Sequence, residues 1–290
     1  MQELIIRKDS APVAKSKSPP RDLSFYFFDF DDNIMFLATP ILIRNTTTRR
    51  SKKVSTADFA GARMIIGQDG PWKEFELFEN TYSHFRDIPS EKLKAGQQQY
   101  FVEDVAKAVA MPGTAWQAPS WSLFVYACEK RRPVAIITAR GHSRETLQAG
   151  IRVLAEKKLI PREPVYLAVY PVGHPQVIDE LIESLDDPKE RERIRASQNN
   201  TSDLKRIAIR NAVETAMRVY GANPDHRFGM SDDDPANVDL IVKAMCDCKT
   251  KYLTNRFIVI NTHKGEWVKL EVFPVSYPVT GRPRADEAIA

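Results

Sequence analysis

Leu23-Ser24-Phe25-Tyr26-Phe27-Phe28-Asp29-Phe30-Asp31-Asp32-Asn33 runs from an apolar stretch straight into three carboxylates. A short apolar run bounded by a turn reads as a strand buried on both faces. Carboxylates crowded at its end repel one another and lose solvation unless a cation or proton compensates. Mg²⁺ is a natural compensator, since it prefers oxygen ligands and keeps waters that a phosphate can replace. Alone, the stretch also fits a strand that simply enters an acidic turn.

Two further stretches separate these readings. His226-Arg227-Phe228-Gly229-Met230-Ser231 leads at once into Asp232-Asp233-Asp234-Pro235-Ala236-Asn237. Pro133-Val134-Ala135-Ile136-Ile137-Thr138-Ala139-Arg140-Gly141 is an apolar strand that ends in a hydroxyl and a guanidinium. In an open parallel sheet the residues just past the C-terminal strand ends converge on one crevice. Acid, hydroxyl plus arginine, and acid at three such ends describe a pocket for a metal and a phosphate.

Working outward, apolar strands at 23–29, 133–138, 165–170, 227–230 and 256–261 alternate with helical patterns at about 120–131, 143–157, 203–220 and 236–248. This predicts an α/β fold with a doubly wound, mostly parallel, Rossmann-like sheet. Ser143 reads as a helix cap, and Leu147, Ile151 and Leu154 share one face of the helix it starts. Arg256 to Ile260 and Trp267 to Phe273 read as a hairpin at the sheet edge.

The gap from Ile34 to Arg132 is too long for one crossover helix, so it predicts an insertion. Pro40 to Arg44 and Lys53 to Ser55 flank a Thr/Arg-rich turn and read as a hairpin, and Ser55 with Asp58 could cap a helix through about Ile66. Trp72, Phe75, Phe78, Tyr82 and Phe85 then call for a small packed unit. The expected organisation is a tail over 1–22, an α/β core over 23–39 and 117–273, an insertion over 40–116, and a tail over 274–290. A smaller charged helical excursion is expected from Val172 to Thr201.

The chain has 290 residues and a net charge of +4, too mild to indicate nucleic acid and compatible with an anionic substrate. Its three cysteines, Cys128, Cys246 and Cys248, lack the spacing of a disulfide framework or a zinc site. No apolar stretch approaches a membrane span and none near the start resembles a signal core, so no membrane partner and a cytoplasmic location are expected.

With these motifs in this order, the chain resembles the haloacid dehalogenase (HAD) superfamily of aspartate-nucleophile phosphohydrolases, over roughly Leu23 to Lys249. The likeness rests on Asp29-Phe30-Asp31-Asp32-Asn33, the strand ending in Thr138, a lysine at the head of a helix, and the Asp232-Asp233 pair. It departs from the family pattern at Asn33 and at Ser231. For the lysine, Lys205 in Asp203-Leu204-Lys205-Arg206 is the first choice and Lys189 the alternative.

The resemblance implies a Mg²⁺-dependent phosphatase acting on a phosphorylated substrate, with a flap hairpin and a cap as the insertion over 40–116. Asp29 would be nucleophile and metal ligand. Asp31 would be acid/base and give its backbone carbonyl to the metal, and Asp232 or Asp233 would complete the protein ligands. Thr138 and Lys205 would bind the phosphoryl group, with Arg140 a candidate substrate contact. The basic run Arg49-Arg50-Ser51-Lys52-Lys53 at the flap tip is either a solvated face or a device that steers an anionic substrate. Two alternatives remain at this stage: a nucleotide-sugar transferase that uses Asp29-Phe30-Asp31 to hold a metal and diphosphate, and a non-catalytic binding module on the same fold.

Overall fold

The computed structural model describes residues 22–197, 200–265 and 267–273. The expected tails over 1–22 (save Asp22) and 274–290 lie outside them. In chain order the described elements are β1 (Ser24–Phe28), β2 (Ile41–Asn45), β3 (Ser51–Val54), α1 (Thr56–Ala62), β4 (Phe75–Glu76), α2 (Tyr100–Ala110), α3 (Trp121–Glu129), β5 (Pro133–Thr138) and α4 (Arg144–Glu156). They continue with β6 (Val165–Pro171), α5 (Pro175–Glu183), α6 (Pro188–Ala196), α7 (Thr201–Tyr220), β7 (Arg227–Asp232), α8 (Pro235–Lys251), β8 (Arg256–Asn261) and β9 (Val268–Glu271).

The main sheet has the order β6-β5-β1-β7-β8-β9, with every neighbouring pair parallel except β8 and β9. β1 is central because its side chains have helices to meet on both faces. Phe25 and Phe27 alternate toward the core beneath α5, α7 and α8, while Tyr26 and Phe28 point into the core beneath α2, α3 and α4. Phe25, Phe228 and Phe257 occupy facing positions on β1, β7 and β8, and their rings stack at 4.9 and 5.2 Å between centroids. The chain leaves β1 to build β5 and β6 on one side, then crosses to build β7 and β8 on the other. The strand order therefore reverses between β1 and β7, where an open α/β sheet leaves a crevice at its C-terminal edge.

The region after β1 departs from the sheet and returns to it. The amide of Phe36 donates to the carbonyl of Trp116 and that of Ala118 to Ile34, closing a stem. Beyond the stem, β2, β3 and β4 form a separate antiparallel sheet around Ile41, Ile43, Val54 and Phe59, with Trp72, Phe75 and Phe85 packed on it.

Two expectations change here. The helix capped by Ser55 ends at Ala62 instead of Ile66, because Met64 and Ile65 are exposed with no surface to cover and Gly67 turns the chain at φ +82°. The stretch 40–116 also divides. Phe101 and Val105 of α2 are buried in the main core against α4, where Gly150 leaves room for the Phe101 ring, so α2 belongs to the core layer in its packing. Likewise α5 and α6 deliver Val177, Leu181 and Ile194 to the main core instead of forming a free excursion. Among the described residues no helix is long and apolar enough to cross a membrane, and the three cysteines are free thiols.

Candidate active site

Asp29 follows β1 directly, and its amide donates to the carbonyl of Ser231 on β7, 3.1 Å away. Asp232 ends β7 with 0% exposure, and Lys205 comes from the first turns of α7 with 2%. The three meet: Lys205 Nζ lies 2.8 Å from Asp29 Oδ1 and 3.3 Å from Asp232 Oδ2. Lys189, the other candidate, is exposed on α6. Burial alone would discharge Lys205, but the charges of Asp29 and Asp232 overcome it and hold the ammonium charged. Burial pushes the Asp29 carboxyl well above the usual carboxylate range; Lys205 pulls it back and Asp232 pushes it further up.

Asp232 is oriented from its other oxygen. Asp232 Oδ1 accepts from the amide of Asp234 at 3.0 Å and from Asn237 Nδ2 at 3.1 Å. Asp234 caps α8 by accepting from the amide of Ala236. Thr138 is buried at the end of β5, beside β1, and its hydroxyl accepts from the amide of Arg140 at 3.3 Å.

Arg140 is not on the rim of the crevice, contrary to its expected substrate contact. It is buried and committed to Asp31: Nε donates to Oδ2 at 2.8 Å and Nη2 to Oδ1 at 2.6 Å. Nη2 also donates to Thr39 Oγ1 at 2.9 Å, and Thr39 donates on to Asp104 Oδ2 at 2.7 Å. The guanidinium lies between two rings, 4.8 Å from the Phe85 centroid and 4.9 Å from that of Phe101. Thr39 in the stem, Phe85 of the inserted unit and Phe101 of the core thus all fix the group that grips Asp31.

Asp32 and Asp233 face elsewhere. Both line a cavity of ≈720 Å³ beside the crevice. Burial, followed by the charge of Asp31, pushes Asp32 up to about 6. Burial, followed by the charge of Asp232, pushes Asp233 up to about 7. Of the two fourth-motif candidates, Asp232 is the one in contact with Lys205, while Asp233 borders the cavity.

Asn33 is the member that sequence reasoning passed over. It is fully buried, and its Nδ2 donates to the carbonyls of Asp29 (3.0 Å) and Ser231 (3.1 Å) and to Ser231 Oγ (2.9 Å). Its Oδ1 accepts from Ser120 Oγ at 2.8 Å and Thr262 Oγ1 at 3.0 Å. One amide ties β1, β7, β8 and the start of α3 together beneath the carboxylates. The signal was present: an amide, able to donate and accept at once, four residues after Asp29, at the position where the motif departs from its usual form.

The flap-tip basic run is partly tied down. Arg49 Nη1 pairs with Glu76 at 3.0 Å, and the Lys52 ammonium lies 5.0 Å from the Trp72 ring centre. Among the described residues no group of three or more His, Cys, Asp and Glu side chains is drawn together as a cage. The donor set nevertheless fits a hard cation: two buried carboxylates share one lysine, which leaves an excess of negative charge in a site built of oxygen donors. No protein-family model, curated protein or solved structure matches the chain.

Proposed function

We propose that the protein is a Mg²⁺-dependent phosphomonoester hydrolase of the HAD type, working through an aspartyl-phosphate on Asp29. The observation that carries this reading is Lys205 held between Asp29 and Asp232 at the crevice where the strand order reverses. A DxD-type transferase would leave that buried lysine without a role, and a binding module would have no need of a carboxylate so placed.

Mg²⁺ would be held by Asp29, the backbone carbonyl of Asp31 and Asp232, and it would offset the charge of the phosphate when bound. Asp29 attacks phosphorus, the phosphorus–oxygen ester bond breaks, and the leaving oxygen takes a proton from Asp31. Water then attacks the aspartyl-phosphate and gives its proton to Asp31 as the bond to Asp29 breaks, releasing inorganic phosphate. Thr138 and Lys205 stabilise the phosphoryl oxygens through both halves.

The test is release of phosphate from para-nitrophenyl phosphate with Mg²⁺. Wild type should turn over and Asp29→Asn should not, while Asp29→Asn keeps its circular dichroism spectrum. A wild-type protein inert toward a broad panel of phosphate esters, or active on nucleotide sugars instead, would overturn the reading.

A further inference from the structure

The ≈720 Å³ cavity has a mixed acidic, aromatic and polar lining. Its lining includes Asp32 and Asp233, which follow the proposed acid/base Asp31 and the proposed metal ligand Asp232 in sequence. The lining also holds the aromatic side chains Phe36, Trp121 and Trp267. Phe36 and Trp267 expose 44% and 47% of their surface. Trp267 is nonetheless fixed in orientation, since its Nε1 donates to the carbonyl of Pro119 at 3.1 Å. Trp121 is held edge-on by Trp116 with 4.7 Å between ring centroids. Hydrogen-bonding side chains, Thr114, Gln117 and Ser122, stand in the same lining.

Resting on the phosphatase reading, we propose that this cavity receives the leaving group of the substrate and that the leaving group is a nucleoside, so the enzyme acts on nucleoside monophosphates. The lining holds the groups such a molecule needs: carboxylates for hydroxyls, exposed aromatic faces and hydrogen-bonding side chains. Phosphate sits at Asp29, the ribose hydroxyls donate to the carboxylates of Asp32 and Asp233, and the base stacks on Phe36 and Trp267 while its polar edge meets Gln117 and Ser122. An acyclic leaving group such as glycerol leaves the aromatic faces unused. A phenol, as in phosphotyrosine, leaves most of the volume and the polar edges unused. The two carboxylates also disfavour the extra charge of a diphosphate. The volume lies within the range of small-molecule sites.

The experiment has two arms on the full chain. In the first, Asp29→Asn is titrated with unphosphorylated adenosine and uridine, read by tryptophan fluorescence. Saturable binding is expected, weakened roughly tenfold or more by adding Trp267→Ala or, independently, Phe36→Ala, from the energy of base–aromatic stacking. In the second, the ratio of kcat/KM for nucleoside monophosphates to that for glycerol phosphate is expected to exceed about tenfold and to fall toward one in either aromatic variant. A ratio near one in wild type, or a preference for a phosphotyrosine peptide, would overturn the nucleoside assignment and leave the phosphatase reading standing. Absence of turnover on every ester would overturn the phosphatase reading and the substrate assignment with it, while nucleoside binding in the first arm would still decide what the cavity takes.

Discussion

Arg140 grips Asp31 with two parallel hydrogen bonds of 2.6 and 2.8 Å from a side chain only 1% exposed. The fork fixes the plane of the carboxylate as well as its distance, which a lysine cannot do. Arg140→Lys should keep the charge and lower kcat roughly 100-fold, with a much smaller change in KM. Thr39→Val, which removes one partner of the guanidinium, should cost roughly fivefold. Steady-state kinetics on one phosphate ester checks both, and equal kcat in all three proteins would remove Arg140 as a positioning residue.

Lys205 is the compensating charge for two buried carboxylates. Lys205→Met should abolish turnover and lower stability by about 3–5 kcal/mol, since it strands Asp29 and Asp232. Mg²⁺ should raise the Tm of that variant more than that of wild type, because the cation then supplies the only positive charge between the two carboxylates. Thermal melts with and without Mg²⁺ read this directly; an equal shift in both proteins would count against shared compensation.

Asp233 should make stability depend on pH. Its folded value of about 7 lies above its ordinary value, so the folded state holds a proton that the unfolded chain has already lost. Its contribution is therefore full at low pH and is lost as pH rises toward and through 7. His142, lowered to about 3 by burial and by Arg140, acts in the opposite sense over part of this range, so the observable is a difference. The Tm of Asp233→Asn minus that of wild type should become more positive between pH 5 and pH 8, measured without metal.

Two apolar or neutral positions carry further weight. Asn33→Ala should cost about 1–3 kcal/mol in urea unfolding, because it leaves the Ser120 and Thr262 hydroxyls and the Asp29 carbonyl without the amide that joins them. In Gly150→Ala the new Cβ would overlap the Phe101 ring. That should cost about 1–3 kcal/mol, and it should also lower kcat, because the same ring flanks Arg140.

The sheet was legible because its strands are short apolar runs with helical patterns between them, and Lys205 was legible from its place at the head of a helix. What stayed hidden depended on partners distant in sequence. Arg140 meets Asp31 across 109 positions, and Asn33 reaches Ser120, Ser231 and Thr262 across 87, 198 and 229. The packing of α2 was hidden for another reason. Its apolar face shows that it packs on something, but only the space above Gly150 shows on what. The same limit applied to Arg140, where an exposed rim and a sandwich between two phenyl rings read alike in one dimension.

The central claim is that Asp29 becomes phosphorylated. Wild type mixed with a turned-over phosphate ester and Mg²⁺, quenched in acid and digested for mass spectrometry, should carry a phosphoryl adduct on the peptide containing Asp29, and Asp29→Asn should carry none. Phosphate release without an adduct at Asp29, together with turnover by Asp29→Asn, would contradict it.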